Sequence, residues 1–259
     1  MRARTSGADA ALSPARAGKG LRSIRAVLAW LMLPLLVAGP GVAWGAETQD
    51  AREAYLRALE RFERGWGVSL ERVYDAGRAA ARELVAQQDG DAGQPVLRGA
   101  PPRGIAVSDA SSLRAAPDPR FFQDLARQRG TEVDEEFFSL LRDTYYRDGV
   151  TRQYAVPRSD VAVCHVFDHP DLVDLYRNWT RFWAMHPRAY RDVVNREVKA
   201  LEDMMALSTC ACGDQASVET GLSGFLKSFP RSPVTPLVHT RLWKVRAGTS
   251  DFRFRCPTG

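Results

Sequence analysis

Histidine and cysteine are both scarce in this chain, four of each in 259 residues, and the patterns they fail to form narrow the chemistry at once. There is no H-E-x-x-H zinc helix, no G-x-x-x-x-G-K-S/T phosphate loop and no G-x-G-x-x-G dinucleotide turn. The "GLSGF" around Ser223 lacks the G-x-S-x-G spacing of a nucleophile elbow. No uninterrupted apolar run reaches the ~20 residues that cross a bilayer as a helix. Past residue 45 the chain also lacks an excess of either charge. Residues 1–45 hold Arg2, Arg4, Arg16, Lys19, Arg22 and Arg25 against Asp9, which accounts for the whole +5 excess and leaves the remainder formally neutral. A neutral chain lacks the uncompensated lysines and arginines that displace counterions from phosphates, so nucleic acid is set aside as a partner.

The first feature present is a basic stretch, "MRARTSGADAALSPARAGKGLRSIR", followed by the apolar "AVLAWLMLPLLVAGPGVAWGA". A positive segment, a short apolar core and small residues at Ala43 and Gly45 read as a signal peptide over residues 1–45, cleaved after Gly45 or Ala46. No twin arginine precedes the apolar core and no cysteine stands near the cleavage point for lipid attachment. The expected product is exported, periplasmic or secreted, with no stable membrane anchor after cleavage.

The rest has mostly helical period. Tyr55, Leu59 and Phe62, then Leu70, Val73, Tyr74, Gly77, Ala81 and Leu84, recur three or four residues apart, which predicts a helical hairpin over residues 46–88. Residues 89–117 are rich in Gly, Pro, Ala and Ser without sustained periodicity, apart from a weak strand pattern in "GIAV", and read as a linker or loop. Residues 118–259 then read as a second, helical domain. Asp118 and Pro119 open one helix, and Thr131 with Asp134 forms a capping pattern for the next. Leu172, Leu175, Tyr176, Trp179, Phe182 and Trp183 mark the clearest apolar stripe. A helix from Pro187 through Met204 and Met205 follows, then two short ones before and after Pro230. Alternation in "VAVCHVF" and "DFRFRC" predicts two short extended segments.

Cys164, Cys210, Cys212 and Cys256 all fall in the exported part, and an even number in an oxidising compartment implies two disulfides. Pairing Cys210 with Cys212 would close a very tight ring across one residue, so each is expected to bond either Cys164 or Cys256, closing loops of about 44 to 48 residues. A zinc site would draw on Cys164, His165, His169, Cys210 and Cys212, but the repeated C-x2-4-C knuckle of structural zinc is missing, and no metal or cofactor is expected.

The mainly α fold thus expected is an exported array of about seven helices with a small extended or β element, stapled by two disulfides. Its candidate binding residues are Trp179 and Trp183, whose rings could stack on a glycan or a partner, and the cluster His165, Asp168 and His169. No catalytic residue is assigned. The expected function is non-enzymatic: binding another envelope or secreted protein as an adaptor, inhibitor or immunity-type factor. The alternative is a cell-wall-directed or metal-dependent hydrolase using His165, Asp168 and His169, with Glu63, Glu135 and Glu136 as the carboxylates a sugar hydrolase would need.

Overall fold

The computed structural model describes residues 50–86, 100–108, 113–157 and 163–256, so the leader read over 1–45 and most of the Gly/Pro-rich stretch before residue 100 lie outside the described residues. Eight helices are present among them: α1 (Ala51–Glu63), α2 (Leu70–Ala86), α3 (Pro119–Arg129), α4 (Glu132–Thr144), α5 (Leu172–Met185), α6 (Arg191–Leu207), α7 (Gln215–Ser228) and α8 (Thr235–Arg246). Two antiparallel hairpins complete the set, β1 (Ile105–Ser108) with β2 (Arg114–Pro117), and β3 (Ala155–Pro157) with β4 (Val163–His165). The chain is therefore mainly helical, with two small sheets and two disulfides. No helix among the described residues is long and apolar enough to cross a membrane.

The helix boundaries follow from local chemistry. Asp50, Asp118 and Asp214 each accept a backbone N–H from the first turn of α1, α3 and α7. Thr131 and Asp134 complete a reciprocal capping box on α4, worth about 1 kcal/mol. At the other end of α6, the Arg241 guanidinium donates to the carbonyls of Met205 (2.7 Å) and Ser208 while stacking 4.1 Å over Phe252. That side chain supplies donors that a terminating helix lacks, and it fixes α8 and the C-terminal segment to the end of α6.

The expected division at residues 89–117 gives way to a single compact unit from Glu47 onward. Residues 105–108 and 114–117 are not linker: they pair as β1 and β2, and β2 packs on α2. The reason is aromatic. Tyr74 of α2 meets Phe122 of α3, Phe137 and Phe138 of α4 and Tyr190 edge-on, at ring separations of 5.2 to 6.2 Å. Tyr190 also stacks on Phe137 at 3.7 Å and begins α6 from a left-handed backbone (φ 49°). Its N–H donates to Glu71 of α2 (2.6 Å) and its hydroxyl to Asp134 of α4 (2.6 Å). One residue thus joins three helices drawn from both sides of the supposed boundary, and buried residues of all eight helices form one core cluster.

Candidate functional site

The cysteines meet where α6 ends. Cys164 of β4 bonds Cys212 and Cys210 bonds Cys256, with Cα separations of 5.1 and 6.0 Å, which resolves the two open pairings. The backbone explains how three remote segments converge. His165 N–H donates to Cys210 O (3.0 Å) and Cys212 N–H to His165 O (3.0 Å), while Ala211 N–H donates to Arg253 O (2.9 Å) and Arg253 N–H to Thr209 O (2.7 Å). The "CAC" segment therefore lies between β4 and the C-terminal residues, and each neighbour supplies one cysteine. The alternation in "DFRFRC" predicts a strand, but only Arg253 bridges Cys210; the chain then turns through Arg255 in the left-handed region (φ 51°), which brings Cys256 back to Cys210.

Three candidate residues lie beside this junction and do separate things. His165 is half-buried, its Nδ1 2.7 Å from Ser208 Oγ, and burial, with Arg152 adding repulsion, pushes its pKa down to about 4. His169 Nδ1 accepts the Asp171 N–H (3.2 Å) just before α5, and Asp168 is exposed. Among the described residues no group of three His, Cys, Asp or Glu side chains is placed to hold a metal ion, so these three do not assemble as ligands. Glu63 pairs with Arg103 and Glu136 with Arg181 and His186, while Glu135 is exposed at the start of α4.

Sequence reasoning missed a buried carboxylate. Glu197 of α6 has no exposed surface and accepts from Arg152 Nε (2.8 Å), Arg152 Nη2 (3.1 Å) and Tyr145 Oη (3.0 Å), with Arg196 Nε 3.5 Å away. The signal was available: Glu197 falls on the apolar stripe of α6, four residues after Val193 and four before Leu201. A carboxylate there must find cations, and it finds them in the loop between α4 and β3. Outward of this pair opens a cleft of about 320 Å³, walled by Arg78 and Arg82 of α2, Arg114 of β2 and Arg196 of α6.

The two tryptophans part company. Trp179 is completely buried, its indole N–H donating to Thr144 Oγ1 (2.9 Å), so as a stacking surface it is corrected to a core residue. Trp183, one turn on, stays 46% exposed and borders a groove of about 460 Å³ between α5, α6 and the α7–α8 joint. Tyr176 and Phe229 form its aromatic wall, meeting edge-on at 4.7 Å, and Pro230 and Pro233 stiffen the joint above it. At its floor Tyr176 Oη donates to Glu202 (2.7 Å) and lies 3.0 Å from Ser232 Oγ. Glu202 has no cationic partner among the described residues, although it is only half-buried.

No protein-family model, no curated protein and no solved structure matches this chain.

Proposed function

We propose that this chain is an exported binding protein, periplasmic or secreted, whose groove beside Trp183 takes a segment of another envelope or secreted protein. The observation that carries the reading is chemical. An exposed indole, a Tyr176–Phe229 wall and two prolines make an apolar slot, and Glu202 at its floor forms no ion pair among the described residues, although Arg231 lines the same groove. That combination suits a partner segment that sets an apolar side chain against Trp183 and a lysine or arginine on Glu202. The joint is held from below by the Tyr176 hydroxyl, so the slot is formed before anything enters it, which limits the ordering cost of binding. Two disulfides suit an oxidising compartment and support export.

The test compares partners crosslinked to the full chain in an envelope extract with those crosslinked to three variants, each identified by mass spectrometry. Trp183→Ala and Glu202→Gln are expected to lose the same partner by about tenfold or more, as central aromatic anchors do. Trp243→Ala, which removes another exposed indole on α8, is expected to keep it. The proposal fails if no partner depends on Trp183, or if Trp243→Ala abolishes capture equally.

A further inference from the structure

The cleft walled by α2, β2 and α6 gathers arginines from three elements that are far apart in sequence. Arg78 and Arg82 lie one turn apart on α2, Arg114 comes from the β1–β2 hairpin, and Arg196 from α6. Their compensation is incomplete. Arg78 is 3.4 Å from Asp75, an exposed carboxylate. Arg196 is 3.5 Å from Glu197, but that carboxylate is already doubly bonded by Arg152. Arg82 and Arg114 form no hydrogen bond or ion pair among the described residues. Five arginines therefore gather around this cleft and the cavity beside it, with Asp75 and Glu197 as their only ion-pair partners among the described residues; Asp118 and Asp148, close by, accept backbone N–H groups instead. Such a concentration costs repulsion unless an anion relieves it.

A second cavity, of about 290 Å³, adjoins the first through Arg114 and Val150, and Arg152 and Tyr154 line it. Tyr154 is 1% exposed and its buried hydroxyl has no hydrogen-bond partner. A buried phenol without a partner is rare and unfavourable unless something accepts its proton.

We propose that this cleft is a binding site for a small phosphate monoester, its phosphoryl oxygens held by Arg82, Arg114 and Arg196 and its organic part against the Tyr74, Pro117 and Val150 walls. Three guanidiniums from different directions match the three terminal oxygens of a phosphate dianion better than the two of a carboxylate. The cavity volume suits a small organic phosphate and is at the lower end for ligand sites.

The test is calorimetric titration of the full chain with phenyl phosphate and with inorganic phosphate, at ionic strength held constant with sodium chloride. Both should bind, phenyl phosphate more tightly, because only it reaches the apolar walls. Arg114→Gln and Arg82→Gln should each weaken phenyl phosphate by about tenfold or more, as expected for loss of a charge-assisted hydrogen bond, with unchanged helical circular dichroism. Arg127→Gln, on the exposed side of α3, should leave affinity unaltered. The site is refuted if neither phosphate gives heat above the chloride reference, or if Arg114→Gln and Arg82→Gln bind phenyl phosphate within threefold of the parent, or if Arg127→Gln weakens it equally. Neither titration depends on Trp183, so this test and the crosslinking test stand or fall separately.

Discussion

Removing the two members of the Glu197–Arg152 pair should have unequal consequences, because only one of them can reach water. The Glu197 carboxylate has no exposed surface, whereas the Arg152 and Arg196 side chains are 27% and 43% exposed. Arg152→Met leaves a carboxylate buried with one phenol and a guanidinium at 3.5 Å, and a buried charge stripped of its partner costs about 3 to 5 kcal/mol. Glu197→Leu leaves two guanidiniums that can turn toward solvent, and loses the bond from Tyr145, for a cost of about 1 to 2 kcal/mol. The double variant removes the stranded charge and should recover more than about 1 kcal/mol relative to Arg152→Met, although the sites touch and simple addition would forbid it.

Urea denaturation followed by circular dichroism reads these differences. With a slope of about 2.5 kcal/mol per molar, suitable for a unit of this size, Arg152→Met should lower the midpoint by roughly 1.5 M. A Glu197→Leu variant less stable than Arg152→Met, or a double variant as unstable as the two single losses combined, would refute the idea that solvent access decides the cost.

His165 supplies a pH dependence in the parent chain. Its folded pKa near 4 lies below the unfolded 6.5, so the unfolded state binds the proton first and stability is lost as pH falls from 6.5 to 4, by up to about 3 kcal/mol; His165→Gln should flatten that part of the urea-stability profile. Peptide mapping without reductant should recover Cys164–Cys212 and Cys210–Cys256, and each should stabilise by about 4 kcal/mol given sequence separations of 48 and 46. Four free thiols on unreduced protein would remove the crosslink account altogether. Gly221→Ala should cost at least about 1 to 3 kcal/mol in thermal unfolding, because an added Cβ on α7 would sit 2.0 Å from the Phe167 carbonyl oxygen.

The helices were legible because each carries its apolar stripe and its punctuation locally: Tyr55, Leu59 and Phe62 are spaced for one face, and Thr131 with Asp134 announces α4. The hairpin inside residues 89–117 showed only as a weak strand pattern in "GIAV", since strands of four residues such as Ile105–Ser108 hold their shape through each other and the packing of β2 on α2 rather than through their own pattern. Periodicity also could not separate Trp179 from Trp183. Both lie on the stripe of α5, one turn apart, and only the reach of α4 over that helix, where Thr144 accepts the Trp179 N–H, decides which ring is covered.

The same limit explains why the cleft and the hub differ in how far they could be foreseen. Two cysteines separated by one residue would close a very tight ring if paired, so that geometry and an even number of cysteines in an oxidising compartment pointed to the hub and left the pairing open. Arginines carry no such demand. Arg78, Arg82, Arg114 and Arg196 are ordinary surface residues in their own segments, and they become a cationic wall only where β2 packs on α2 and Tyr190 joins α6 to α2. The formal neutrality of residues 46–259 concealed them further, because acidic residues elsewhere cancel their charge in composition while doing nothing to screen it across the cleft. A binding surface built by convergence is therefore invisible to composition, and it depends on the aromatic junction beneath it: loosening Tyr190 should disperse the arginines before it unfolds the helices.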